Sequence, residues 1–133
     1  MIPCLVVTHG QLANELMAAA EMIVGEIEHI VPISIGWQED VNEARDEIER
    51  VLKNLHAEGG AILMTDMFGG TPSNLAMSFL KDRKIEVITG VNLPMIIKAA
   101  SQGENEELEA LADKICEKGK SNITRASRFL GES

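Results

Sequence analysis

A histidine and an aspartate, each placed directly after a predicted buried strand, are the side chains of this sequence best suited to chemistry. His9 follows the apolar, β-branched run at residues 2–8, and Asp66 follows the apolar run that begins at residue 61. A neutral imidazole is nucleophilic through one ring nitrogen when an acceptor holds the other as N–H. Asp66 is the natural acceptor, since a carboxylate in that position fixes the tautomer, orients the ring and stabilises its growing positive charge.

A glycine turn and a helix start follow Asp66. Two consecutive glycines let the backbone turn tightly and approach another group closely. Thr71 is predicted to cap a helix whose first residue is Pro72, where a missing N–H does no harm. Free N–H groups at a helix start favour an anion. The predicted anion-binding residues are Thr71, Gly70, Gly10 and Ser73.

The order of the elements predicts that the histidine and the aspartate meet. Strands are predicted at residues 2–8, 28–35, 61–64 and 85–89, and helices at residues 12–24, 41–58, 72–81, 93–101 and 106–118. This alternation predicts an α/β fold, a doubly wound, mostly parallel open sheet with helices on both faces. The order 2-1-3-4 places strands one and three side by side, and ligands bind at the carboxyl ends of the strands there. Pro32 indicates that strand two is an edge strand. A short final strand is predicted at residues 122–126.

Composition excludes several classes of function. A chain of 133 residues is expected to form one domain, residues 1–133. The net charge of −9 argues against nucleic acid and against an anionic membrane surface. Cys4 and Cys116 lack the spacing of a zinc site or a disulfide framework, so no metal is expected. No run approaches the ~20 apolar residues of a membrane helix, and no signal peptide is visible. We therefore expect a cytoplasmic protein without membrane insertion.

A nucleophilic histidine, an orienting aspartate and an anion cradle together describe the acceptance of a phosphoryl group on histidine. Phosphoryl transfer requires mainly positioning and charge stabilisation. Taken singly, each of these residues is more often structural, and only their predicted convergence favours a site. Trp37 follows strand two at the same edge of the sheet, and it could line a partner surface or simply pack. Met67 and Phe68 are the other candidates for that surface.

Three segments resemble the enzyme IIA domain of the mannose family of the bacterial sugar phosphotransferase system. They are THG at 8–10, TDMFGGTPSN at 65–74 and GVNLPM at 90–95. The resemblance implies that His9 accepts a phosphoryl group from the carrier protein HPr through Nε2 and passes it to a IIB domain. It also implies that Asp66 pairs with this histidine and that the Thr71 hydroxyl contacts the phosphoryl group.

The resemblance further implies a homodimer that exchanges an antiparallel edge strand near the C-terminus, and residues 122–126 are the candidate for it. No metal or organic cofactor is implied. No IIB domain follows in this sequence, so we expect a separate IIB protein as acceptor, with membrane IIC and IID components as further associates.

Other functions fit parts of the same pattern. A stand-alone regulatory module would use phosphorylation of His9 to change its partner rather than to support sugar transport. The phosphotransfer subunit of a dihydroxyacetone kinase system shares the fold and the histidine, but the segment from Asp66 to Asn74 favours the mannose type. A response-regulator receiver would need an acidic pair after strand one, where this chain has Thr8, His9 and Gly10. A metal-dependent hydrolase would need more ligands than one histidine and one aspartate.

Overall fold

Four parallel strands form one sheet in the order β2-β1-β3-β4, with helices on both faces. The structure is a computed structural model that describes residues 1–81 and 84–131, so four positions of the predicted 1–133 domain lie outside it. The strands are β1 (Cys4–His9), β2 (Ile30–Ile35), β3 (Ala61–Thr65) and β4 (Ile85–Thr89). The helices are α1 (Leu12–Val24), α2 (Val41–Asn54), α3 (Gly70–Met77), α4 (Leu93–Ala100), α5 (Leu108–Ser121) and α6 (Ala126–Leu130), with a 3-10 turn at Ala57–Gly59. The predicted fold class and strand order are confirmed.

Strands β1 and β3 are buried on both faces of the sheet. Successive side chains of a strand point to opposite faces, and helices cover both faces. One face packs under α1, α4 and α5, where Val6, Ile62 and Met64 contribute to the apolar core. The other face packs under α2 and α3, where Leu5 and Leu63 contribute. This explains why the two strands read as continuous apolar runs. Their carboxyl ends therefore lie at the centre of one sheet edge.

Local signals in the sequence explain where several elements begin and which strand is outermost. Pro32 lies in β2, which is an edge strand as predicted. The Asp40 carboxylate caps α2 by accepting the backbone N–H groups of Asn42 and Glu43. The Asn92 side chain caps α4 by accepting the N–H of Met95. Caps of this kind satisfy N–H groups that have no acceptor within the helix.

The start of α3 differs from the prediction. The helix begins at Gly70, and its N-cap is Gly69, with φ of 97° and no side-chain capping bond. Thr71 is therefore the second helical residue rather than the cap, and Pro72 is the third. The two glycines supply the positive φ that turns the chain into the helix two residues earlier than a threonine cap would.

The predicted strand at residues 122–126 is not present. Residues 122–125 have no regular structure, and α6 begins at Ala126. A strand needs a neighbouring strand to pair its backbone groups, and the end of a single chain has none beside it. The backbone bonds locally instead, with the N–H groups of Arg128 and Phe129 both donating to the carbonyl of Arg125. The exchanged strand of a homodimer is thus not shown.

Candidate functional site

His9 and Asp66 contact each other at the carboxyl edge of the sheet. His9 is the last residue of β1, and Asp66 follows β3, which pairs with β1 in parallel. His9 Nδ1 lies 2.7 Å from Asp66 Oδ2. The same carboxylate oxygen accepts the backbone N–H of His9 at 3.1 Å. One oxygen therefore holds both the ring and the backbone of the histidine, whereas the sheet order predicted only that the two side chains meet.

The environment of Asp66 keeps its carboxyl group ionised. Partial burial acts to raise its pKa, but three effects of His9 oppose this: the ring hydrogen bond, the backbone hydrogen bond and the charge of the imidazolium. The net result is that the pKa of Asp66 lies below its ordinary value of 3.8. An ionised carboxylate accepts but does not donate. Nδ1 of a neutral His9 ring therefore carries the proton, and Nε2 carries the lone pair.

The unprotonated edge of the His9 ring lies against Gly70. A Cβ atom on Gly70 would stand 3.1 Å from both Nε2 and Cε1 of His9, and the φ of Gly70 is 84°. Any larger residue would crowd the nitrogen that is free to react. The side chain of His9 is 52% exposed, so a partner molecule can reach this edge. The arrangement is that of an oriented, accessible nucleophile.

A pocket of about 380 Å³ opens beside the ring. It is lined by His9, Gly10, Ile35, Gly36, Trp37, Glu39, Val41, Gly70 and Thr71. Gly70 and Thr71 are the first two residues of α3, and the first N–H groups of a helix have no acceptor within it. These donors and the partial positive charge of the helix start favour an anion next to Nε2. The pocket can thus place an anionic group beside the nucleophile.

Not every predicted residue reaches this pocket. Ser73 is only 1% exposed, and its hydroxyl lies 3.7 Å from Met77 Sδ, so its side chain points into the protein. It is the fourth residue of α3, past the first turn, and its N–H is within reach of an intrahelical acceptor. Met67 and Phe68 are exposed in the loop after β3, by 54% and 75%, without lining the pocket.

Two residues outside the predicted site also belong to the surroundings of His9. Glu39 lines the pocket, and its carboxylate accepts the N–H of Gly36 at 3.1 Å. Thr8 is fully buried, and its hydroxyl accepts the N–H of Ala13 at 2.7 Å. Neither contact could be foreseen from spacing, but both residues lie within a few positions of a strand end that carries the site.

Within residues 1–81 and 84–131, no three His, Cys, Asp or Glu side chains are grouped so that they could hold a metal ion. In the same part of the chain, no helix combines the length and the apolar character that crossing a membrane requires.

Comparison with known proteins connects this geometry to a family. The model of the EIIA-man family, described as "PTS system fructose IIA component", matches residues 4–116. The fructose-specific EIIA component of Bacillus subtilis is 28% identical over 116 residues, which cover 86% of this chain and 80% of that protein. The mannose-specific EIIAB component of Escherichia coli is 33% identical over 110 residues, which cover 79% of this chain and 34% of that protein.

Solved structures show the same relationship. The mannose/sorbose-specific IIA subunit of Enterococcus faecalis has a TM-score of 0.85 and 29% identity, with 94% of this chain and 95% of that chain covered. The EIIA component of Streptococcus agalactiae has a TM-score of 0.85 and 27% identity, with 96% and 99% covered. The family match spans both the residues of β1 and the segment from Asp66 into α3. The chain therefore belongs to the EIIA-man family of components of the sugar phosphotransferase system.

Proposed function

We propose that this chain is a phosphocarrier that accepts a phosphoryl group from phospho-HPr on Nε2 of His9 and passes it to a separate IIB protein. The observation that carries the proposal is the 2.7 Å contact between His9 Nδ1 and Asp66. It directs the lone pair of the ring to the nitrogen at the pocket. The family match supports a role in the phosphotransferase system in general terms, and the donor, the acceptor and the roles of single residues are part of the proposal.

In the proposed transfer, the Nε2 lone pair of His9 attacks the phosphorus atom of the donor. The new N–P bond forms while the bond between phosphorus and the donor breaks, and the electron pair of that bond stays on the donor. His9 keeps its proton on Nδ1, where the hydrogen bond to Asp66 stabilises the positive charge of the ring. The N–H groups of Gly70 and Thr71 and the Thr71 hydroxyl face the phosphoryl oxygens. Onward transfer reverses these steps.

Exposed apolar side chains in the loops after β2 and β3 support docking of protein partners. They are Trp37, Met67 and Phe68, whose exposed fractions are 96%, 54% and 75%, and we call them the apolar surface. Both loops follow strands that end at the same edge of the sheet as β1. The net charge of −9 favours partners with a basic surface. We propose that HPr and the IIB protein use this surface in turn.

The proposal is tested by incubating the chain with phosphoenolpyruvate, enzyme I and HPr and measuring its intact mass. We expect one added phosphate that is lost in acid and absent from His9→Ala. Asp66→Ala is expected to slow acceptance by up to about 10⁴-fold, the loss seen when the orienting carboxylate of a triad is removed. Ser73→Ala is the matched control for these variants. Ser73 lies in α3, the helix that begins at the pocket, but its hydroxyl is buried away from the pocket. Absence of transfer to the wild-type chain would overturn the proposal.

A second step separates sugar transport from regulation. The purified phosphorylated chain is mixed with the IIB protein of a mannose-type system, and the mass of both proteins is followed. Loss of phosphate from this chain with gain on IIB supports the carrier. A phosphorylated chain that keeps its phosphate in the presence of IIB would favour the regulatory alternative. In that alternative, the phosphorylation state of His9 selects a binding partner.

A further inference from the structure

The segment that carries His9 is short and is held at both ends by hydrogen bonds. Gly10 and Gln11 alone separate the end of β1 from the start of α1. The N–H of Gly10 donates to the carbonyl of Ile35 at 2.9 Å, which ties the segment to β2. The helix end of the segment is tied by Thr8, whose hydroxyl accepts the N–H of Ala13 at 2.7 Å.

The bond from Thr8 replaces an ordinary helix cap. Gln11 is the N-cap of α1, and its side chain makes no capping bond. Ala13 is fully buried, so its N–H requires an acceptor within the protein. Thr8 is also fully buried, and its hydroxyl is this acceptor. In the chain, Thr8 directly precedes His9, whereas Ala13 follows it. The first turn of α1 is thus fastened directly to the strand residue that precedes the histidine.

We propose that Thr8 is a positioning residue for phosphoryl transfer: by holding α1 against the end of β1, it fixes the backbone of His9 relative to Asp66. The link to the ring is direct, because Asp66 Oδ2 accepts both the His9 N–H at 3.1 Å and the Nδ1–H at 2.7 Å. A shift of the His9 backbone therefore changes the ring contact at the same oxygen. The effect of Thr8 on phosphoryl transfer rests on the proposed phosphocarrier function, whereas the effect of Thr8 on the His9 ring does not.

The first readout needs no phosphoryl transfer. Thr8→Val keeps the shape of the side chain and removes the acceptor. In the wild-type chain, ¹⁵N NMR of the His9 ring is expected to show one neutral tautomer with the proton on Nδ1. Thr8→Val is expected to show a mixture of both tautomers, and Thr8→Ser is expected to restore the single tautomer. A single Nδ1–H tautomer in a folded Thr8→Val protein would overturn the proposal.

The second readout is the rate of acceptance from phospho-HPr. We expect Thr8→Val to lower kcat by about tenfold to a hundredfold, the scale of a small misplacement of a reacting group. KM for the donor is expected to stay unchanged, because Thr8 is fully buried and a bound donor protein cannot contact it. Thr8→Ser should recover most of kcat. An unchanged kcat with a lowered thermal midpoint would show a purely structural role and overturn the proposal.

A matched control is available on the neighbouring strand. Ser34 pairs with Thr8 in the parallel ladder, and its buried hydroxyl has no hydrogen-bond partner among residues 1–81 and 84–131. Ser34→Ala is expected to leave the tautomer and kcat at wild-type values. If Thr8→Val does not fold, Thr8→Cys is compared with Thr8→Ser, since both lack the methyl group and the sulfur is a weaker acceptor than the hydroxyl. A reduced kcat in Thr8→Cys supports the proposal, and a wild-type kcat overturns it. If the wild-type chain itself accepts no phosphate, the NMR readout still tests Thr8.

Discussion

Gly69 and Gly70 are adjacent and both have positive φ, but only Gly70 lies against the His9 ring. The added Cβ of Gly70→Ala would stand 3.1 Å from Nε2, whereas that of Gly69→Ala would meet nothing within 4 Å. Both substitutions strain the backbone, by about 1–3 kcal/mol. We expect Gly70→Ala to lower the acceptance rate by about a hundredfold, because it crowds the reacting nitrogen. Gly69→Ala is expected to lower stability similarly and the rate much less. Equal rates would show that access to Nε2 does not depend on Gly70.

Asp66 makes a pH-dependent contribution to stability. Its pKa is lower in the folded chain than the ordinary 3.8, so the folded state favours the ionised carboxyl. The contribution is complete well above that ordinary pKa and is lost as the pH falls through the folded pKa. We expect the excess stability of the wild-type chain over Asp66→Asn to shrink as the pH falls below about 5. Denaturant unfolding from pH 3 to pH 7 measures it, and a difference that grows on acidification would contradict the pairing.

At the scale of elements, α4 and α5 pack closely at Gly119, in the last turn of α5. A Cβ on Gly119 would meet the Cγ and Sδ atoms of Met95 at 2.6 Å. The Gly119 carbonyl also accepts a hydrogen bond from the Asn92 side chain at 3.1 Å. Asn92 and Met95 belong to the third segment of the family resemblance. That segment, at residues 90–95, is therefore held by α5 and acts in this fold as a packing element.

We expect Gly119→Ala to destabilise the chain by about 1–3 kcal/mol, the usual cost of overpacking. Helix propensity alone would give the opposite sign, since alanine is better than glycine by about 1 kcal/mol. A double-mutant cycle with Met95→Ala separates the two effects. In the Met95→Ala background, Gly119→Ala should become neutral or stabilising. Destabilisation of the same size in both backgrounds would exclude the clash with Met95 as its cause.

Helices and strands could be predicted from the sequence where the apolar pattern was strong and no other local signal opposed it. The four strands follow from their apolar runs, and the sheet follows from the alternation of strands and helices. The start of α3 could not be predicted, because two glycines in a positive-φ turn leave no side-chain signal for the first helical residue. The misplacement of Ser73 follows from that error, since a start at Pro72 would have put Ser73 in the first turn. The contact between Thr8 and Ala13 depends on the packing of α1 against β1, which periodicity does not specify.

At the scale of the whole molecule, the C-terminal segment is the part least attached to the rest. None of the residues of α6 is buried, and Ile123, Phe129 and Leu130 are 78%, 73% and 74% exposed. Exposed apolar side chains at the end of the chain are consistent with the homodimer that the family resemblance implies, in which this segment would contact a second copy. The single chain shows no such contact, so the homodimer remains a proposal.

Truncation after Ser121 tests that proposal. We expect the full chain to have the mass of a dimer in light scattering and the truncated chain to have the mass of a monomer. Because no residue of α6 is buried within one chain, the truncated monomer should remain folded and should still unfold cooperatively on heating. A truncated chain that still forms dimers would show that another surface holds the copies together. A truncated chain that unfolds would show that the segment supports its own subunit.

The exposure of His9 affects how long a phosphoryl group on its ring would last. A phosphoryl group on Nε2 would sit at an open edge of the sheet, on a side chain that is 52% exposed. Bulk water would reach the N–P bond in the absence of a partner. The carboxylate of Asp66 already accepts hydrogen bonds from His9, and that of Glu39 accepts one from Gly36, so each offers fewer lone pairs to a water molecule. The lifetime of the phosphorylated chain would then be set by the rate at which water hydrolyses the N–P bond. Transfer to a partner would have to be faster than this hydrolysis.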